Sequence, residues 1–227
     1  MEVKGKVKTR IGKNGDGGYI LLNDFDGVKI AYSFGISQEI SFDKDLADKN
    51  IDIFMYDHTI SKLPYENPKF HWKKIGLVSG NTKDKYMKTL NELIIENNHT
   101  EEKNMILKMD IESSEWNVLN QLTSNILLQF KYIVGEFHFN DENKYKFLEI
   151  IKKIQITHQI FHLHCNNCAS KIINFDGFYI CSLLEISFVQ KKGYSFNISN
   201  SRFPIKGLDY NNCKNNLEID YLLNIFL

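Results

Sequence analysis

Short apolar runs alternate along the chain with stretches of helical periodicity, and that alternation predicts a mostly parallel sheet covered on both faces. Val28–Ile36 (VKIAYSFGI) reads as a buried first strand ending at Gly35, after which Ser37, Glu39 and Ser41 lead into a helical stretch with Ile40, Leu46 and Ala47. Ile51–His58 predicts a second strand ending in Asp57, and His71–Leu77 a third. The next helix would use Asn81 as its cap, with Asp84 in its first turn and Met87, Leu90, Leu93 and Ile94 on its apolar face. Met105, Ile106 and Leu107 form a central strand that runs into Asp110 and Glu112. There it yields to a helix capped by Ser113 or Ser114 and carrying Val118, Leu119 and Leu122. Tyr132–Phe139 is the fifth strand; the helix after it starts near Asn140 and buries Phe147, Leu148, Ile151 and Ile154. Gln159–Asn167 is the sixth, and after a turn at Asp176-Gly177 comes Leu183–Gln190. With no long helix between these last two strands, they predict a terminal antiparallel pair. The chain thus reads as one α/β domain: an extension over 1–27, a core over 28–192 and a tail over 193–227.

The extension is dense in glycine and aspartate around Tyr19–Leu22. It reads first as a surface hairpin, the alternative being a Gly17-Gly18 turn that brings backbone close to a ligand. Composition narrows the rest. With 28 basic and 28 acidic residues, the formal net charge of zero gives no reason to expect nucleic acid as the partner. The N-terminus lacks an apolar run of signal-peptide length and no stretch suits a membrane span, so a cytoplasmic protein is expected. Cys165, Cys168, Cys181 and Cys213 do not read as a disulfide framework, and Cys165-Asn-Asn-Cys168 lacks the second pair of a zinc site.

In open α/β sheets ligands bind beyond the carboxyl ends of the strands, and polar residues collect there. Gly35 supplies a tight turn aimed at a helix, and Asp57 stands about one strand-helix unit later, where an acid suits ribose hydroxyls. Asp110, Glu136 and His138 end consecutive strands, with His164 on the next. Two carboxylates and an imidazole can hold a divalent ion such as Mg²⁺ or Mn²⁺, or serve as a general base, and the sequence leaves both open.

These residues fall in segments that resemble a known family. KMDIESSEW (Lys108–Trp116) resembles the signature of FkbM-type S-adenosylmethionine-dependent methyltransferases. DGGYIL (Asp16–Leu21), YSFGIS, YDHT, GEFHF, HCNNC, LEISF and the FP…LD tail match its DGGY-containing branch in order. The resemblance implies a class I methyltransferase, Rossmann-like fold whose last strand is antiparallel, with S-adenosyl-L-methionine as cofactor. The methionine moiety would lie over the Gly35 turn (Phe34, Gly35, Ile36, Ser37) with Tyr19 nearby, Asp57 and His58 at the ribose, and Gly76 and Leu77 bordering the adenine. Asp110 would face the methyl group, with Glu136, His138 and His164 as candidate catalytic groups and Asp110, Glu136 and His138 as candidate metal ligands. The activity implied is O-methylation of a sugar or nucleotide-activated sugar in bacterial surface (capsular) polysaccharide biosynthesis. The partners implied are a small-molecule acceptor, neither nucleic acid nor membrane insertion, with room for a homodimer. Ser113 replaces the signature's glycine. The rivals are a nicotinamide-dependent oxidoreductase, disfavoured by the missing GxGxxG, and a catalytically silent binding module on the same scaffold.

Overall fold

The computed structural model describes residues 1–140, 144–168, 171–175 and 178–219. Among them seven strands form the central sheet: β1 (Ile30–Phe34), β2 (Asp52–Tyr56), β3 (Phe70–Lys73), β4 (Met105–Met109), β5 (Phe130–His138), β6 (His158–Cys165) and β7 (Leu183–Gln190). Their order across the sheet is β6-β7-β5-β4-β1-β2-β3. β7 runs antiparallel to both β5 and β6, and every other pairing is parallel. This is the Rossmann-like methyltransferase arrangement expected from the sequence.

Every residue of β4 is buried, as a strand covered on both faces requires. Its alternating side chains divide the interior into two cores. Leu107 joins Phe34, Leu93, Trp116, Phe137 and Phe147 on one face, while Ile106 joins Leu21, Phe42, Ile53 and Val134 on the other. Around the sheet lie α1 (Ser41–Ala47), α2 (Leu90–Glu96), α3 (Glu115–Gln121), α4 (Ser124–Leu127) and α5 (Lys144–Ile154). No helix among the described residues is long and apolar enough to cross a membrane.

Several local expectations are corrected. The helix predicted from Asn81 begins only at Leu90, because Thr89 and Glu92 form a reciprocal capping box that fixes its start. Met87-Lys88 instead pair as a short strand with Gly76-Leu77, so β3 stops at Lys73 rather than Leu77. Ser114 stands at the N-cap of α3 but makes no capping bond; the Glu115 carboxylate accepts the Ile111 N–H instead, at 2.8 Å. Tyr19–Leu22 forms the expected strand, but it pairs with Lys8–Ile11, outside the predicted hairpin, and it is not a surface feature. All four residues of Tyr19–Leu22 are buried, and the Ser187 hydroxyl donates to Ile20 O at 2.6 Å. The predicted Asp176-Gly177 turn lies outside the described residues.

The cysteine reading is also overturned. Cys165 pairs with Cys181 and Cys168 with Cys213, across Cα–Cα distances of 5.9 and 5.2 Å. A hairpin (Ile172–Phe175 with Phe178–Cys181) folds Cys181 back to the end of β6, and the tail returns Cys213 to the same edge. Both pairings depend on chain reversals that residue spacing does not encode.

Candidate active site

The chain leaves β1 toward β2 and β3 on one side, and β4 begins the other side of the sheet. A crevice opens at the carboxyl ends of β1 and β4, where the order reverses. Gly35 makes the turn that shapes it, with φ +73°, and a Cβ there would sit 1.6 Å from Asp110 O. No side chain other than hydrogen fits between the two strand ends. Asp57 holds the turn from the next strand. Its Oδ2 accepts the N–H groups of Ile36 and Ser37 at 2.9 and 2.8 Å, and its Oδ1 accepts Thr59 N–H and Oγ1–H at 2.7 and 2.6 Å. Burial would raise the Asp57 pKa, but these donors outweigh it and hold the carboxyl below its usual range. From behind, buried Lys108 donates its ammonium to Phe34 O and Gly35 O at 3.1 and 2.6 Å.

Two cavities meet at this turn. One, of about 390 Å³, is bordered by Asp57, His58, Gly76, Leu77 and Asp110. Gly76 leaves room there, since a Cβ would come within 2.5 Å of both His58 Nδ1 and Met87 Sδ. The other, of about 400 Å³, reaches toward the hairpin and is bordered by Asp16, Tyr19, Ile36, Asp43 and Glu136. Gly35, Ser37, Asp110 and Glu112 belong to both. Phe34 lines neither: its side chain is in the core and only its carbonyl reaches the turn, through Lys108.

Asp110 and Glu136 reach the second cavity from the neighbouring strands β4 and β5, and Glu185 of β7 stands beside Glu136. Tyr19 Oη donates to Asp110 Oδ2 at 3.4 Å, and burial together with the nearby acids keeps that phenol protonated. Burial raises the Asp110 pKa, with Lys108 opposing and Glu115 and Glu112 adding to it. Glu136 faces Glu185 directly across the antiparallel β5–β7 pair. Burial, then Asp110 and Glu185, push its carboxyl up to about 8, although Asn166 donates a short hydrogen bond to Oε2. His138 shares the face of Glu136, as its two-residue spacing predicts. Its Nε2 lies 3.6 Å from both Glu136 Oε1 and Glu112 Oε2, and its Nδ1 3.4 Å from Glu115 Oε2. Burial opposes charge on this ring, yet Glu115 and the other acids prevail and raise it to about 8.

His164 does not join them. Its Nδ1 faces Glu185 Oε2 at 3.0 Å and its Nε2 faces Glu218 Oε1 at 3.3 Å, which clamps the tail against β7. Among the described residues no group of three or more His, Cys, Asp or Glu could hold a metal ion, so the predicted metal trio of Asp110, Glu136 and His138 is not assembled. Three residues with no assigned role prove central. Lys108 was visible as the lysine of KMDIESSEW. Asp43 was visible only as an acid in a helical first turn, a commonplace dipole partner. Arg10 carried no local signal: its guanidinium donates to Lys13 O, Gly15 O and Gly18 O at 2.7, 2.6 and 2.9 Å, and so shapes the glycine loop that carries Asp16.

Comparison with known proteins adds a family to this geometry. The model of the methyltransferase FkbM domain matches residues 33–166. A search of curated proteins finds no match. Among solved structures, an inferred RNA methyltransferase of Pyrococcus horikoshii is similar at 8% identity over 71% of this chain and 74% of its own, with a TM-score of 0.39. Precorrin-6y C5,15-methyltransferase of Geobacter metallireducens gives 9% identity over 72% and 81%, with a TM-score of 0.37. An inferred hemolysin of Streptococcus thermophilus gives 11% identity over 78% and 72%, with a TM-score of 0.41.

Proposed function

Because the chain belongs to the FkbM methyltransferase family, we propose that it transfers a methyl group from S-adenosylmethionine to a hydroxyl oxygen of a sugar-type acceptor. The pathway that the sequence resemblance implies is surface-glycan assembly. One observation supports the reading above the others: two cavities of similar size share Asp110 and the Gly35 turn. Methyl transfer needs donor and acceptor on opposite sides of one carbon, and two chambers meeting at a common wall suit that requirement.

The first cavity fits the cofactor in its chemistry. Gly35 and Asp110 would border the methionine half, Asp57 the ribose hydroxyls, and His58, Gly76 and Leu77 the adenine, where the missing Cβ of Gly76 leaves space for a flat ring. Bound there, S-adenosylmethionine supplies a methyl group that is already electrophilic. The protein's own task is to orient the acceptor oxygen and remove its proton. Asp110, held by Tyr19 at the shared wall, is placed to accept the acceptor hydroxyl as a hydrogen bond. Glu136, with its carboxyl raised to about 8, is a stronger base than an ordinary carboxylate, and its ionised form, which grows as pH rises through about 8, would take the proton. His138 sits among Glu112, Glu115 and Glu136 and steadies their charge.

The test is calorimetric titration with S-adenosylhomocysteine, with and without Mg²⁺. Saturable binding is expected; none under either condition overturns the reading. Asp110→Ala should then reduce turnover by about 10²-fold or more while the S-adenosylhomocysteine Kd stays within about threefold. Equal loss of both would make Asp110 a cofactor or structural residue instead.

A further inference from the structure

We propose that Asn166 is a positioning residue for Glu136, its side-chain amide holding that carboxyl in the orientation in which it takes the acceptor proton. This rests on the methyltransferase reading above and adds a residue to the same site.

The argument begins with the turn that follows β6. Asn166 and Asn167 lie between two cysteines, and each cysteine is tied to a different part of the chain. Cys165 is joined to Cys181 in the hairpin beside β6, and Cys168 to Cys213 in the tail. Both asparagines are buried, and their amides turn to different partners. Asn167 serves the tail: it accepts Cys213 N–H at 2.8 Å and donates to Cys213 O and Asn216 O at 3.1 and 3.2 Å. Asn166 serves the sheet. Its backbone N–H donates to Leu183 O at 3.1 Å, its Oδ1 accepts Cys168 N–H at 2.8 Å, and its Nδ2 donates to Glu136 Oε2.

The bond to Cys168 decides the bond to Glu136. A backbone N–H can only donate, so the amide oxygen must face Cys168 and the NH₂ group is left to face Glu136. Aspartate would close the same two-residue turn as well as asparagine does. It would, however, set a second carboxylate oxygen against Glu136, where the amide offers a donor. The turn alone therefore does not account for this side chain, and the contact with Glu136 does.

Asn166 does not line the second cavity; it acts through Glu136, which does. Asp110 of β4, Glu185 of β7, Tyr19 of the N-terminal hairpin and His138 of its own strand act on the same carboxyl, and Glu112 shares the His138 imidazole. Glu185 is already partnered by His164 and Asn212. With Oε2 held by Asn166, Oε1 lies 3.6 Å from His138 Nε2, so the carboxylate is fixed between an amide and an imidazole. A hydrogen bond donated to a carboxylate favours its ionised form, and here it opposes the burial and the neighbouring acids.

The experiment uses the full chain with isotope-labelled glutamate carboxyls and follows the Glu136 carboxyl by NMR as pH is varied, with Glu136→Gln identifying its signal. Asn166→Asp keeps the size and the turn but removes the donor. Asn166→Ser also removes it, and its hydroxyl can still accept Cys168 N–H. Both should move the Glu136 midpoint upward, by about one unit or more in Asn166→Asp and by less in Asn166→Ser. Affinity for S-adenosylhomocysteine should stay within about threefold in both. An unmoved midpoint would reduce Asn166 to a turn residue, and loss of S-adenosylhomocysteine affinity along with the shift would make it a structural one. Either result overturns the proposal and leaves the methyltransferase reading in place; if Asn166→Asp does not fold, Asn166→Ser alone decides. Failure of the unaltered chain to bind S-adenosylhomocysteine would instead overturn the methyltransferase reading, and the role of Glu136 as base with it.

Discussion

The Gly35 turn, on the proposed donor side of the crevice, and the β6–β7 edge of the sheet with its tail are held in place by different physical means. On the donor side the geometry is written in backbone. Gly35 approaches Asp110 more closely than any side chain allows, Asp57 collects the amides of the turn, and Lys108 collects its carbonyls. At the far edge of the sheet, outside the lining of the second cavity, the structure is made by links between distant parts of the chain. His162 is paired with Asp209 at 2.7 Å, His164 with Glu185 and Glu218, Asn167 with Cys213 O and Asn216 O, and Cys168 with Cys213 by a disulfide. A donor shared by a whole family suits a rigid local device. An edge tied by side chains and a disulfide suits parts that can be exchanged without disturbing the sheet.

The strongest way to break this contrast is Gly35→Ala. With φ +73° and a Cβ only 1.6 Å from Asp110 O, the strand ends must separate. A loss above about 4 kcal/mol in folding stability is expected, with S-adenosylhomocysteine binding lost by calorimetry. Smaller in scale is the double change Cys168→Ser with Cys213→Ser. The chain-entropy estimate for a 45-residue separation is about 4 kcal/mol, of which strain-free relaxation can recover part. Denaturant unfolding should report it, while affinity for S-adenosylhomocysteine stays within about threefold if the two sides are separable.

The pH dependence sharpens the contrast, because the two sides fail at opposite ends. His164 is raised to about 10 by Glu185 and Glu218 despite burial, so its stabilising contribution is complete below its unfolded value of about 6.5 and is lost as pH rises toward 10. Asp57 is held below its usual range, so its contribution is present above about 3.9 and fades only as pH falls through the folded value. Hydrogen exchange should show residues 205–219 opening in alkali and the Gly35 turn opening in acid. His164→Gln should remove the alkaline transition alone. The smallest effect is at Ser113, which adopts φ 79° where the family signature has glycine. Ser113→Gly should stabilise by about 0.5–1 kcal/mol, read as a thermal midpoint about 1–4 °C higher.

Locality governs what the sequence disclosed. Strand runs and their terminal residues were legible on both sides because they are local signals: β7 spans Leu183–Gln190 as predicted, and Asp57, Asp110 and Glu136 fall at the expected strand ends. The capping box at Thr89 was equally local and was passed over in favour of a longer helical pattern. What stayed hidden were partnerships across the chain. Nothing beside His164 announces Glu218, and nothing in the spacing of four cysteines chooses among three possible pairings. The burial of Tyr19–Leu22 was hidden for the same reason, since the strands that cover the hairpin come from the far half of the sequence.

Arg10 gives these long-range links a consequence in time. Its guanidinium shapes the glycine loop, yet one of its four hydrogen bonds, at 2.9 Å, goes to Leu208 O, 198 positions later. During synthesis the loop emerges 198 positions ahead of Leu208, which completes its anchor. The turn at Gly35 needs only β1, β2 and β4. The Gly35 turn therefore depends on contacts complete by residue 110, while the loop that borders the second cavity depends on one made only at residue 208.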